Sequence, residues 1–180
     1  MQSALQPLVS EAEYLQLPET TQTTELVDGE LILAPNPSFW HQEVLGRLMT
    51  ALRTWVATGT RQVTVAQAPL DVRFGPGRIL QPDGMVFLTP LAPNVEMPIA
   101  RVPELCIEVL SSNRAYDRLT KRYLYAEAGV TEYWLVDPRG WVERRTGPGL
   151  SIESEVRDRL ATPLLPDFEL DVPELLAPRP

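Results

Sequence analysis

ELCIEVLSSNRAYDRLTKRYLYAEAGVTEYWLVDP, residues 104–138, places two apolar segments on either side of a polar one. The first, ELCIEVL (104–110), is almost continuously apolar, which is typical of a strand buried on both faces of a sheet. Residues 113–128 fit a helix that ends at Gly129, since glycine favours the left-handed conformation that follows many helices. TEYWLVD (131–137) predicts a second buried strand. This order of strand, helix and strand indicates an α/β fold.

The segments before and after this stretch predict further strands and one more long helix. TTELV and ELILA predict a hairpin joined by Asp28-Gly29, a favoured two-residue turn. Ser38 can cap a helix with one buried stripe, and extended segments follow that helix. Two strands around TGPG predict an antiparallel pair near the end of the chain. The order is therefore helix, three strands, helix, strand, with β-structure added at both ends.

The length of 180 residues fits one domain with a proper hydrophobic core. We predict a core at about 38–138, an N-terminal helix and hairpin in 1–37, and a C-terminal β extension in 139–180.

The composition favours a protein of the reduced cytoplasm that does not coat nucleic acid. Cys106 is the sole cysteine, so an intramolecular disulfide is excluded. The absence of a basic leader and of an apolar run of about 20 residues predicts neither export nor a membrane span. The formal net charge is −8, whereas nucleic-acid coat proteins usually carry a basic face. The segment 114–122 is a local exception, because its four cations against Asp117 could contact phosphates.

Glu108 is the most anomalous residue of the first buried strand. Alternation along the strand puts Glu108 on the same face as Cys106 and Leu110. A buried carboxylate is costly unless it is paired or bound to a metal. Glu108 is therefore either a functional ligand or one half of a salt bridge with an arginine at a sheet edge.

Asp83 lies between Pro82 and Gly84, a context typical of a turn aspartate. The residues on both sides are strand-like, however, which favours a bend within a strand. A bend beside the strand of Glu108 would bring two carboxylates together. Two hard oxygen ligands with open water positions suit Mg²⁺ or Mn²⁺ far better than zinc. Both interpretations of Asp83 stay open on the residues alone.

Lys121 is the only lysine in the chain, against fifteen arginines. An ammonium group is a compact point charge whose pKa shifts readily, whereas guanidinium stays protonated. Lys121 shares one helix face with Arg114, Arg118 and Tyr125, which could be directed at Glu108 or could be an ordinary solvated face. The opposite face is predicted to be the stripe that packs on the core, and it comprises Tyr116, Leu119, Tyr123 and Ala126.

These residues lie in segments that resemble the Uma2-like (DUF820) group of endonucleases, within the PD-(D/E)XK nuclease superfamily. The similarity covers residues 14–176, and its most specific part is KRYLYAEAGVTEYWLVDP (121–138). The other matching segments are TELVDGEL (24–31), the histidine at 41, QPDGMVF (81–87), EVLS (108–111) and LLPDFELDVPELL (164–176). The resemblance implies an α/β fold with a restriction-endonuclease-like core, a mixed central sheet and extra β-hairpins at both ends.

The resemblance also implies a set of catalytic residues. Pro82-Asp83 matches the PD of the superfamily motif, and Glu108 matches its acidic residue. Leu110 occupies the place of the usual lysine, and Lys121 on the following helix is implied to replace it. The resemblance also implies that Glu25 and His41 contribute, from the first hairpin and the first long helix. Taken alone, a histidine at the position of His41 is more often an ordinary helix-start residue than a catalyst.

The implied function is a metal-dependent endonuclease that hydrolyses phosphodiester bonds of DNA. Asp83 and Glu108 would bind Mg²⁺ (or Mn²⁺), and Lys121 would orient or deprotonate the attacking water. Arg114 and Arg118 would contact phosphates, so activity should fall with salt.

Two alternatives from other classes remain at this point. One is a catalytically degenerate nuclease fold that acts as a nucleic-acid or protein binding module, which suits the acidic composition and the lack of a base-reading element. The other is an acidic dimerisation module whose carboxylates are structural. The choice between DNA and RNA, and a homodimeric assembly, stay open.

Overall fold

A computed structural model describes residues 8–18, 22–59, 62–111 and 113–178. The outermost parts of the predicted terminal extensions, 1–7 and 179–180, lie outside the described residues. The strands are β1 Thr24–Val27, β2 Glu30–Leu33, β3 Thr64–Gln67, β4 Val72–Gly75, β5 Arg78–Leu80, β6 Gly84–Phe87, β7 Leu105–Val109, β8 Glu132–Asp137, β9 Trp141–Thr146, β10 Ile152–Val156, β11 Arg159–Thr162 and β12 Leu165–Asp171.

The helices are α1 Glu11–Tyr14, α2 Phe39–Thr58, a π-helical turn Tyr116–Lys121 that continues into α3 Arg122–Ala128, a 3₁₀ turn Pro148–Leu150, and α4 Val172–Leu176. Among the described helices, none combines the length and apolarity that a membrane crossing requires.

The strands form two main sheets and one terminal hairpin. The six-stranded sheet has the order β10-β9-β8-β7-β6-β3, and the four-stranded sheet has the order β2-β1-β5-β4. β7 and β8 pair in parallel and their neighbours pair antiparallel, so the larger sheet is mixed as predicted. The strands of this sheet between α2 and α3 are β3, β6 and β7, and β8 follows, which confirms the order helix, three strands, helix, strand. Hairpins β1–β2 and β11–β12 flank this core.

The two faces of the six-stranded sheet bury different parts of the chain. Leu105, Ile107 and Val109 belong to the cluster under α2, whereas Cys106 and Leu110 belong to the cluster under α3. Each large apolar side chain buried in this way contributes about 1.5–3 kcal/mol to the hydrophobic stabilisation. The predicted alternation along β7 is confirmed, and it places Glu108 on the α3 side.

α2 begins where the sequence predicts. Ser38 accepts a hydrogen bond from the backbone N–H of His41, and Gly59 caps the other end. Its buried stripe packs against Ile107 and the rest of the sheet. Gly84 at the start of β6 allows this close approach, because an added Cβ would lie 2.6 Å from the Met49 Cε on α2. α2 and β6 thereby come together beside the junction that carries Asp83.

The predicted core-facing stripe of the second helix is wrong. Leu119 and Tyr123 are 64% and 54% exposed, whereas Lys121 and Tyr125 are buried. The helix turns its polar side towards Glu108, and the sequence between Tyr116 and Lys121 forms a π-helical turn with i→i+5 hydrogen bonds. Lys121 and Tyr125 share a face as the regular period predicts, but that face is the buried one, because both side chains bond to Glu108.

Candidate active site

A cleft opens where the chain passes from one sheet to the other. Residues 81–83 join β5 of the four-stranded sheet to β6 of the six-stranded sheet. The cleft has a volume of about 500 Å³. The acidic and basic side chains that line it are Glu25, His41, Asp83, Glu108, Asp117 and Lys121. The structure thus brings together all five residues that were predicted to be catalytic, and it adds Asp117.

Glu108 lies in the wall of this cleft and is only 3% exposed. Its Oε1 atom accepts hydrogen bonds from Lys121 Nζ at 2.8 Å and from the Tyr125 hydroxyl at 2.7 Å. Burial raises the pKa of this carboxyl well above its usual range, Lys121 acts against that rise, and Asp83 adds to it. β7 is an interior strand of the sheet, so the alternative of an arginine salt bridge at a sheet edge does not apply.

Asp83 lies at the junction between the two sheets rather than in a surface turn. Its Oδ2 atom accepts the backbone N–H of Val109 at 2.8 Å and is 3.0 Å from His41 Nε2. Val109 directly follows Glu108, so this contact holds Asp83 against β7, and both carboxylates line the same cleft. The described residues donate no hydrogen bond to Asp83 Oδ1 or to Glu108 Oε2, and each carboxylate therefore retains one oxygen for another ligand.

Lys121 joins the two sheets electrostatically. Its Nζ lies 3.1 Å from Glu25 Oε1 on β1 and 2.8 Å from Glu108 Oε1 on β7. Burial alone would lower the pKa of Lys121, but the carboxylates of Glu108 and Glu25 raise it well above its usual value. The ammonium therefore points at Glu108 as the sequence predicts, and its second partner is Glu25 rather than Asp83. Lys121 is a fixed cation.

Glu25 has the character of a positioning residue. Oε1 accepts the backbone N–H of Gln81 at 2.9 Å as well as the Lys121 ammonium, and Oε2 accepts the Tyr116 hydroxyl at 3.0 Å. Both oxygens are thus occupied by protein donors. Glu25 therefore holds two groups in place from the four-stranded sheet. One is the Lys121 ammonium, and the other is the backbone of Gln81, two residues before Asp83.

His41 occupies the first turn of α2 with its ring directed at Asp83. Burial would lower the pKa of the imidazole, but the hydrogen bond and charge of Asp83 raise it above its ordinary value. Its Nδ1 atom is buried and has no hydrogen-bond partner among the described residues. His41 therefore restrains Asp83 through Nε2 alone.

Asp117 is the lining residue that the sequence analysis treated only as a single acid among cations. It is 8% exposed and lies on the π-helical turn, where its backbone carbonyl accepts the Tyr133 hydroxyl at 3.0 Å. Burial raises its pKa from an ordinary 3.8 to about 6, with Lys121 acting against the rise. The spacing of four residues between Asp117 and Lys121 was the available signal, because residues so spaced share a helix face.

Arg114 and Arg118 lie outside this group of side chains. Arg114 pairs with the fully buried carboxylate of Asp137, and Arg118 pairs with the buried Glu143 at 2.6 Å. Both guanidinium groups therefore tie the helix to β8 and β9. Their contact with phosphates stays a prediction. Such a contact would have to use the guanidinium N–H groups that do not bond to Asp137 or Glu143.

The donor set of the cleft fits a hydrated divalent cation. Four carboxylates face one lysine and one histidine, so the lining carries an excess of negative charge. The donors are hard oxygens, which suit Mg²⁺ or Mn²⁺. Among the described residues, no three His, Cys, Asp or Glu side chains are arranged to hold one ion. A cation here would therefore use Asp83, Glu108 and water, as Mg²⁺ commonly does.

The fold and this cleft define a protein of the restriction-endonuclease-like class. The chain matches the sequence model of the Uma2 family, described as "Putative restriction endonuclease", over residues 11–173, and it belongs to that family. A solved structure with the same fold is described as a putative nuclease belonging to DUF820 from Anabaena variabilis ATCC 29413. That protein is 23% identical, and the match covers 93% of this chain and 97% of the other with a TM-score of 0.78. A search of curated proteins found no match.

Proposed function

We propose that this protein is a metal-dependent endonuclease that hydrolyses phosphodiester bonds of DNA. The observation that carries the proposal is the pair Asp83 and Glu108, two carboxylates that line one cleft. Each has one oxygen fixed by protein donors and one left for a ligand. Membership of the Uma2 family supports a nuclease-type reaction.

Asp83 and Glu108 would together bind Mg²⁺ or Mn²⁺. When bound, the ion supplies a polarised water and a charge that offsets the scissile phosphate. Tyr125 and Lys121 keep Glu108 in position, and His41 with the Val109 N–H keeps Asp83 in position. Preorganised donors of this kind need no rearrangement at the moment of reaction.

Lys121 would act as a fixed positive charge. An ammonium with a raised pKa and two carboxylate partners does not take up a proton at neutral pH, so the expectation that it deprotonates water is not part of the proposal. It would instead orient the attacking water or stabilise the negative charge that develops on the phosphate.

The family resemblance favours DNA as the substrate. Arg114 and Arg118 would contribute phosphate contacts. DNA affinity should then fall as the salt concentration rises, and more steeply the more such contacts there are. A cytoplasmic location and a homodimeric assembly stay predictions.

The test is nicking of supercoiled plasmid DNA with Mg²⁺ or Mn²⁺ by wild type, Asp83→Asn, Glu108→Gln and Lys121→Met. Glu127→Gln is the matched control, because Glu127 is an exposed acid on α3. Wild type and the control should nick at equal rates, whereas each site variant should lose at least about 100-fold.

Mn²⁺ binding, followed by electron paramagnetic resonance, should be lost in Asp83→Asn and Glu108→Gln and kept in the control. Equal nicking by all variants would identify a contaminant. DNA binding by wild type without cleavage under any metal would favour the alternative, a degenerate nuclease fold that binds nucleic acid.

A further inference from the structure

Asp117 differs from the other three carboxylates of the cleft in having no partner. Glu25 has both oxygens bonded, and Asp83 and Glu108 each have one oxygen bonded. No described residue donates a hydrogen bond to the Asp117 carboxylate or forms an ion pair with it. Burying an unpaired carboxylate is unfavourable, so this side chain lies in the cleft at a cost to stability. Buried, unpartnered acids of this kind occur where chemistry requires them.

Hydrolysis of a phosphodiester needs a group that takes a proton from the attacking water. Lys121 is excluded because it is held as an ammonium between Glu108 and Glu25. His41 is excluded as well, since Nε2 is engaged with Asp83 and Nδ1 is sealed from solvent. The two carboxylates assigned to the metal are charged ligands, and both oxygens of Glu25 are bonded to protein donors, so Asp117 is the carboxylate that remains.

We propose that the Asp117 carboxylate accepts the proton of the water that attacks the phosphorus atom, an assignment that rests on the proposed nuclease function. The water oxygen forms a bond to phosphorus while one of its protons passes to an Asp117 oxygen. The bond from phosphorus to the leaving oxygen breaks, and that oxygen keeps the electron pair and takes a proton from solvent. Asp117 then releases its proton to solvent, so the net reaction is addition of one water.

The charges around Asp117 suit this role near neutral pH. Burial raises its pKa to about 6, Asp83 and Glu25 add to the rise, and Lys121 and His41 oppose it. A general base is most effective when its pKa lies near the working pH. The neighbour on β8, Tyr133, bonds only to the backbone carbonyl of Asp117, which leaves the carboxylate free of donors from the sheet.

A role as a third metal ligand is the competing assignment for the same side chain. The described residues contain no group of three acids or histidines placed to share one ion. In this structure Asp117 therefore does not complete a three-ligand site with Asp83 and Glu108, whereas a proton acceptor needs only to reach a water that the ion binds.

The experiment measures single-turnover DNA cleavage from pH 5 to 9 for wild type, Asp117→Asn, Asp117→Glu and the control Glu127→Gln. The wild-type rate should rise tenfold per pH unit at low pH and level off above about pH 6, with the control identical. Asp117→Asn should cleave at least about 100-fold more slowly, without the levelling, and Asp117→Glu should recover part of the rate. DNA affinity and Mn²⁺ affinity, read by electron paramagnetic resonance, should stay within about threefold of wild type.

Each contrary result has its own meaning. Asp117→Asn that matches the wild-type rate and pH profile overturns the inference and leaves the proposed function intact. A loss of Mn²⁺ affinity beyond about tenfold in Asp117→Asn also overturns it, because Asp117 then helps to hold the metal, directly or through a bound water. Wild type that binds Mn²⁺ and DNA yet cleaves neither plasmid nor oligonucleotide overturns the proposed function itself, and the inference with it.

Discussion

Replacing Asp117 with asparagine should make the protein more stable at neutral pH. The pKa of Asp117 is about 6 in the folded protein, against an ordinary 3.8. The folded protein thus binds this proton more tightly than the unfolded chain does. The ionised carboxylate lowers the free energy of unfolding progressively as the pH rises from about 4 to about 6, and the full penalty applies above that range.

The size of the effect follows from the two pKa values. Each pKa unit corresponds to 1.36 kcal/mol, so the penalty is about 3 kcal/mol at pH 8 and below about 1 kcal/mol at pH 4. Asparagine is neutral at every pH in this range, so Asp117→Asn should recover most of the roughly 3 kcal/mol lost at pH 8. For a chain of this length, 3 kcal/mol corresponds to a rise in Tm of roughly 6–12 °C.

The assay is urea unfolding followed by circular dichroism, with EDTA present, at pH 4 and pH 8. Wild type, Asp117→Asn and the exposed-acid control Glu127→Gln should have similar stability at pH 4. At pH 8 Asp117→Asn alone should be more stable. If Asp117→Asn is equal to wild type or weaker at pH 8, the carboxylate has a stabilising partner, and the description of Asp117 as unpaired is refuted.

Three further variants test the ion pairs and the hydrogen bond that the helix carrying Lys121 makes to the six-stranded sheet. Lys121→Met should lower the free energy of unfolding by about 3–5 kcal/mol, because it leaves buried carboxylates without their cation, and adding Glu108→Gln should restore part of that loss. Tyr125→Phe should cost about 1.5–3 kcal/mol, the usual worth of a hydrogen bond to a charged group. Arg118→Ala should cost less, about 0.5–1.5 kcal/mol, because Glu143 keeps its ion pair with Arg145, and it should also reduce the salt dependence of DNA binding by about one unit of slope if Arg118 contacts a phosphate. Urea titrations at pH 7.5 measure all three.

Different outcomes would contradict each of these expectations. Additive losses in the Lys121 and Glu108 double variant would show that the two side chains do not interact. A Tyr125→Phe protein with wild-type stability would mean that water replaces the hydroxyl. An Arg118→Ala protein with normal stability and a reduced salt slope would show that DNA contact, and not the pair with Glu143, is the main role of the arginine.

The candidate site residues that interrupt a local sequence pattern could be predicted from the sequence. Glu108 interrupts a strand that is otherwise apolar, and Asp83 interrupts two strand-like segments. Alternation alone then gives the face of Glu108, and the structure places Asp83 beside it. The lone lysine was likewise conspicuous by composition, and its ammonium contacts Glu108.

The features that local patterns do not encode were predicted poorly or not at all. Leu119 and Tyr123 were assigned to the core because they are apolar or aromatic, whereas the buried face of the helix is the one whose Lys121 and Tyr125 bond to Glu108 on β7, and Asp117 was overlooked. The pairing of Arg114 with Asp137 depends on how the helix packs over β8, which the spacing of charges along the helix does not show. Long-range packing decides both cases.

The link that Lys121 makes between Glu25 and Glu108 has a consequence for how the protein folds. Glu25 belongs to the four-stranded sheet and Glu108 to the six-stranded sheet, and these strands are far apart in the chain. Contacts between distant segments form late, because the entropy of closing the intervening chain must be overcome first. The cleft is therefore complete only after the two sheets have come together. In refolding, the circular-dichroism signal of the strands should return before the proposed Mn²⁺ binding does. Mn²⁺ binding would then report the last step of assembly.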